Sequence, residues 1–175
     1  RMREEYDQLL KYSSNTMNEN HLSYAAIHYL YSRNYFKEIE LSASTKIAFA
    51  YYKGQAEKYW LKNNRYLQGM IALSLNRYGS KNVATSILAS LKENALISEE
   101  FGMYWKDNTA GYYWHQAPIE TQALLMEAFD EIANDAQALE AMKVWLLKNK
   151  QCNDWKTTRA TTEACYALLR RGTDF

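Results

Sequence analysis

Along residues 80–95, SKNVATSILASLKENA, the apolar positions Val83, Ile87, Leu88, Leu91 and Ala95 recur three and four residues apart, as one face of an α-helix requires. The stretch DAQALEAMKVWLLKNK, 135–150, repeats the pattern with Ala138, Leu139, Met142, Trp145 and Leu146. Its Lys148 and Lys150 fall where the negative end of a helix favours cations. Ser80 is placed to cap the first of these helices, and Gly79 to close the one before it. Extended along the chain, this periodicity predicts eight helices, near 2–12, 17–34, 44–61, 64–78, 81–95, 118–133, 135–149 and 157–171. No strand-like alternation lasts long enough to predict a sheet. One irregular stretch remains, ISEEFGMYWKDNTAGYYWHQA at 97–117. It exceeds an ordinary connection and is expected to be a packed or functional surface segment.

Two of the predicted helices resemble each other. IETQALLMEAF and TTEACYALLRR are both apolar on most sides, and each follows a tryptophan-bearing loop, with Trp105 lying 50 positions before Trp155. Each loop trails an amphipathic helix with a charged back, SILASLKENA in one case and AMKVWLLKNK in the other. Helices apolar nearly all round belong inside and amphipathic ones cover them, so the pattern predicts helix pairs alternating inner and outer. The expectation is one all-α domain over 1–175, a curved or closed α/α layer.

Composition agrees with helix: one proline and six glycines interrupt 175 residues. Charge narrows the partners. Lys and Arg number 21 against 20 Asp and Glu, a net charge of +1, which gives no broad attraction for phosphate backbones or anionic lipid. Nucleic acid is not expected as a partner, and the basic, aromatic run YYKGQAEKYWLKNNRY reads as a solvated helix face. No apolar run has the length of a membrane span, so direct membrane insertion is not expected. The chain starts on Arg1 and its last predicted helix stops just before its end, which predicts a fragment of a larger multidomain protein. Cys152 and Cys165 permit a bridge if the loop folds back, with free buried thiols as the simpler expectation.

The stretches HYLYSRNYF, YWLKNNRYLQGMIALSLNRYG, GMYWKDNTAGYYWHQAPIETQALLMEAF and VWLLKNKQCNDWKTTRATTEACYALLRRG carry a resemblance in their order and spacing. Over roughly residues 21–172 the chain resembles the thioester-domain region of bacterial α-macroglobulin-like proteins of the Bacteroides type. The firmest marks are the tryptophan-and-threonine helix entry DWKTTRATTEACYALL and the Glu-Thr-rich inner helix IETQALL. The resemblance implies an α/α toroid, terpenoid cyclase-like, here an incomplete ring of about four helix pairs. It implies endopeptidase inhibition by the longer protein, which traps proteases in the periplasm or cell envelope. The other domains of that protein, and proteases through it, are the implied partners. The family's thioester joins the Cys and Gln of a C-G-E-Q motif. Here Cys152 is followed by Asn-Asp-Trp and Cys165 by Tyr-Ala-Leu, so no thioester residue is expected in this chain and the domain is expected to be non-catalytic.

The segment GYYWHQAPIETQALL, 111–125, concentrates the candidate chemistry. Pro118 suits the first turn of a helix, where its missing N–H would have been unbonded, and Glu120 complements the positive helix end. Glu120 can also serve as a general acid or base, although its helix-end role explains it without chemistry. Tyr112, Tyr113, Trp114 and His115 either anchor a long loop or form a platform on which a sugar, peptide or flat ligand stacks; with 14% aromatic residues in the chain, anchoring is favoured. Trp155 joins them as part of a candidate interaction surface. The alternative to the inhibitor reading is a carbohydrate-active α/α-toroid enzyme, which needs two carboxyls facing each other across a cleft, with Asp107, Glu120 and Glu163 as candidates. A helical protein-interaction scaffold is a third. His21 and His28, seven apart, would share a helix face but lack a third ligand, and no H-E-x-x-H occurs, so no metal or other cofactor is expected.

Overall fold

The structure, a computed structural model, describes residues 1–150, 155 and 157–170. Among these it is mostly helical, with eight α-helices and one two-stranded hairpin. The chain divides into two compact units, Arg1–Ala84 and Thr85–Phe175.

The first unit contains α1 (Met2–Tyr12), α2 (Tyr24–Arg33), α3 (Ala43–Tyr59) and α4 (Arg65–Arg77). Polar side chains set the starts of three of them. Ser23 accepts the Ala26 amide at 3.1 Å, Ser42 that of Thr45 at 3.3 Å, and Asn64 that of Leu67 at 3.0 Å, each satisfying a first-turn N–H. These contacts also correct one expectation: α2 begins at Tyr24, not at residue 17. Asn20 takes the Leu22 amide and Ser23 the Ala26 amide, so local side-chain acceptors replace the turns that the apolar pattern alone would extend into helix. His21 therefore lies before α2 and shares no helix face with His28; its Nε2–H donates to the Thr16 carbonyl at 2.9 Å.

Alternate helices are neighbours here, α1 against α3 and α2 against α4. In α4 every residue from Tyr66 to Leu75 is buried. Gly79 ends that helix as expected: its φ is +89°, its N–H reaches Asn76 O at 3.2 Å, and the Ser80 N–H reaches back to Leu75 O at 2.8 Å. That pair of bonds needs a left-handed residue between them, which glycine supplies without a Cβ penalty. The Ser80 hydroxyl itself donates to Glu57 at 2.5 Å.

The helix α5 (Lys81–Glu93) crosses the boundary between the units, and the second continues with β1 (Leu96–Ser98), β2 (Gly102–Tyr104), α6 (Pro118–Ala128), α7 (Ala136–Lys148) and α8 (Thr158–Leu169). The hairpin corrects the expectation of no strand. β1 and β2 pair antiparallel, Leu96 with Tyr104 and Ser98 with Gly102, across a three-residue turn that Gly102 closes at φ +69°. Three-residue strands are too short to show a period.

Pro118 occupies the first turn of α6, and all of Glu120–Ala128 is buried. Gln122, fully enclosed, gives its amide N–H groups to the Met103 carbonyl at 2.8 Å and the Met142 carbonyl at 3.3 Å, tying α6 to β2 and α7. A π-helical turn, Phe129–Ala133, extends α6 and stops at Asn134 in the left-handed region, φ +50°. α8 packs against α6 through the small residues Ala160, Ala164 and Ala167, while Tyr166 and Leu169 are exposed. It is thus buried along one stripe and not all round.

Asp135 starts α7, accepting the Ala138 amide at 3.0 Å and pairing with Lys92. The Lys92 hydrogen bond, with help from that amide, holds its carboxyl below the ordinary value of 3.8. A depressed carboxyl stabilises the fold fully above the unfolded value and loses that contribution as pH falls through the lower, folded one. Asp135→Ala should therefore cost about 1 kcal/mol near neutrality. The deficit should shrink in acid, which thermal melts of both chains at about pH 7 and pH 2.5 will read.

Candidate functional site

Two buried tryptophans organise the second unit. Trp105 donates its indole N–H to the Leu91 carbonyl at 2.8 Å, and Trp155 donates its own to the Leu146 carbonyl at 3.2 Å. Leu91 and Leu146 each stand two residues before the end of their helices, α5 and α7, where last-turn carbonyls lack an intrahelical partner. The same clamp therefore closes both amphipathic helices and introduces both helices that follow. This equivalence exposes a difference in length. α8 begins three positions after Trp155, but α6 begins thirteen after Trp105. The segment between Trp105 and α6, which includes GYYWHQ, is therefore ten residues longer than the one between Trp155 and α8.

Gln116 folds that segment back on itself. The Gly111 amide donates to its carbonyl at 3.0 Å, its own amide donates to Tyr113 O at 2.8 Å, and its side-chain oxygen accepts the Tyr113 amide at 3.2 Å. The base is tied down by Asn108, whose side chain donates to Pro118 O at 3.0 Å. Tyr112, Tyr113 and Trp114 are left 96%, 59% and 42% exposed, whereas His115 is buried at 6%. The Tyr113 ring lies parallel to the His115 ring at 5.6 Å, and Trp114 meets His115 edge-on at 5.4 Å. His115 is thus the ring that holds the loop, and the three neighbours present their surfaces outward.

Where the first turns of α6 and α8 approach the end of α7 lies a cavity of about 300 Å³. Its walls are largely apolar, from Pro118, Ile119, Ala160 and Trp155, with Gln116, Asn149, Thr157 and Glu120 supplying polar groups. Two of the candidate residues meet here, Glu120 and Trp155; Tyr112, Tyr113, Trp114 and His115 are not among its lining. Glu120 is 8% exposed and lies 4.0 Å from the Arg159 guanidinium, beyond hydrogen-bond range. Lys150 sits 5.3 Å over the Trp155 ring. Thr157 accepts the Ala160 amide at 3.0 Å and so opens α8.

Of the three carboxyls considered for two-carboxylate chemistry, only Glu120 lines this cavity; Asp107 is exposed elsewhere. Glu163 lies within electrostatic reach. Burial raises its carboxyl above the ordinary value, Arg159 opposes this, and the negative Glu120 and Glu127 add to it. Further along the same helices, Arg170 is met by Asp130 at 2.7 Å, Glu127 at 3.3 Å and Glu131 at 3.9 Å. Cys165 is a free, exposed thiol, and Cys152, with the bridge considered for it, lies outside the described residues.

Sequence reasoning reached Glu120 through its first-turn position and Trp155 through the repeat. It missed Gln116 and Asn149. The first is a loop residue whose role depends on a fold-back, the second caps a helix end, and neither belongs to a motif. Compared with known proteins, the chain matches no family model, and no curated protein or solved structure is significantly similar to it.

Proposed function

We propose that this chain is a non-catalytic helical module of a bacterial α-macroglobulin-like endopeptidase inhibitor, an arc of an α/α toroid that serves the trapping of proteases in the periplasm or cell envelope. The observation that carries the reading is the repeated tryptophan clamp. Trp105 and Trp155 take equivalent last-turn carbonyls and each introduces one of the two helices, IETQALL and TTEACYALL, on which the family resemblance rests. The pairing of alternate helices, α2 with α4 and α6 with α8, supports a double layer of inner and outer helices within each unit. Among the described residues Glu120 is the one carboxylate that lines the cavity, which favours the non-catalytic reading over glycoside hydrolysis, a reaction that needs a second carboxyl facing the first.

In this role the domain transmits a change made elsewhere: bait cleavage in the longer protein shifts its neighbours, and these helices move with them. The test uses the full-length protein. Incubated with proteases of broad specificity, it should be cleaved and should then block digestion of large substrates while sparing small ones. Undiminished digestion of large substrates by the treated protease would refute the proposal.

A further inference from the structure

A second cavity, of about 290 Å³, lies within the first unit, where the end of α2, the segment 37–41, the start of α3 and Tyr78 after α4 come together. Its apolar surface comes from Ile39, Leu41, Phe49 and Tyr78, and the Phe49 and Tyr78 rings meet edge-to-face at 4.8 Å. An occupant therefore needs a compact apolar body, at the lower end of the size that small-molecule sites accept.

The charge of this lining is unbalanced. Arg33, Lys37 and Lys46 stand against one lining carboxylate among the described residues, Glu40. Glu40 meets Lys46 at 3.8 Å, longer than a hydrogen bond, and the two side chains are 94% and 60% exposed, so their pairing neutralises little inside the cavity. Lys37 stands 5.4 Å over the Tyr78 ring and donates to Arg77 O at 3.1 Å, which leaves its other N–H groups for an occupant. Arg33 is half-buried, and its guanidinium makes no hydrogen bond or ion pair among the described residues. Its charge reaches the inner wall: burial raises the Tyr78 phenol above its ordinary value, and Arg33 opposes the rise.

The negative helix ends close by are already answered. Lys37 takes the Arg77 carbonyl at the end of α4, and the Asn34 side chain donates to Leu30 O at 3.1 Å and Tyr31 O at 3.2 Å at the end of α2. Of the neighbouring charges in the chain, Glu38 and Arg77 are not in the lining, and the Arg77 guanidinium lies over the Tyr31 and Tyr35 rings.

We propose that this cavity binds a small organic carboxylate, its apolar body against Ile39, Leu41 and Phe49 and its carboxylate held by Arg33 with Lys37 and Lys46. A guanidinium presents paired donors that match the two oxygens of a carboxylate, and each ammonium adds a point charge. A neutral ligand of the same shape leaves the cations unanswered, and an inorganic anion leaves the apolar wall uncovered. Both halves of the ligand are needed.

The test uses this chain alone and reads nothing about proteases, so its outcome is separate from that of the inhibitor reading. The ¹⁵N-labelled chain is titrated near neutrality with phenylacetate, with phenylacetamide and with inorganic phosphate. Phenylacetate should move the Phe49 and Tyr78 amide resonances, leave the Trp105 indole resonance in place, and bind about tenfold more tightly than either of the others. Arg33→Gln should erase its advantage over the amide. Equal binding of phenylacetate and phenylacetamide, phosphate that matches phenylacetate, or resonances that none of them moves would overturn the proposal. Should Arg33→Gln fail to fold, a salt series on the unaltered chain decides. Phenylacetate binding should weaken severalfold between about 20 and 500 mM sodium chloride while phenylacetamide binding holds, and phenylacetate binding indifferent to salt would overturn the proposal equally.

Discussion

Gly102→Ala is expected to destabilise the second unit by about 3 kcal/mol or more, among the largest effects a single methyl group can have. Two penalties coincide at this position. The backbone stands at φ +69°, where residues with a Cβ are disfavoured, and an added Cβ would lie 2.0 Å from the Ala141 carbonyl oxygen. The obstacle is backbone, so no side-chain rotation relieves it. β2 would have to lift away from α7, which would pull Met103 O from the Gln122 amide and part Tyr104 from Trp145, now stacked at 6.4 Å. Gly79→Ala supplies the control. Its φ is +89° but nothing lies within 4 Å of the added Cβ, so only the dihedral penalty applies, about 1–2 kcal/mol. Denaturant midpoints of the two variants separate the terms. If Gly102→Ala proves no worse than Gly79→Ala, the close approach of β2 to α7 is wrong.

That contact also marks where sequence reading stopped. The helices were legible because an apolar face is a local, periodic property, and the starts expected at 64 and 157 fall on the residues that cap α4 and α8, Asn64 and Thr157. The hairpin was not, because three residues carry no period and its reason for existing is a helix carbonyl some forty positions away. α2 was drawn too long because Asn20 and Ser23 compete for amides by side-chain geometry that periodicity ignores. Within IETQALL the eye falls on the charged Glu120, yet it is Gln122 that joins three elements, since an amide can satisfy two carbonyls at once in a space where a charge cannot be left. The cavity of the second unit follows the same logic: its lining comes from the loop before α6, the starts of α6 and α8 and the end of α7, and only Glu120 and Trp155 signalled themselves beforehand.

Trp105→Ala should cost about 4 kcal/mol, and Trp155→Ala distinctly less. Trp105 is 1% exposed, packs its ring 6.2 Å from Phe129, and bonds Leu91 O at 2.8 Å; Trp155 is 8% exposed and bonds Leu146 O at 3.2 Å. Truncating either leaves a last-turn carbonyl without its donor, so the two share a hydrogen-bond loss of about 1 kcal/mol and differ in the cavity each leaves behind. Phenylalanine at each position isolates the shared part: Trp105→Phe and Trp155→Phe should converge, because the ring then fills most of the space while the indole donor is gone. Convergence is what a repeated clamp demands. Thermal melts of the four variants would sink the repeat if Trp105→Phe and Trp155→Phe differed as widely as the alanine pair.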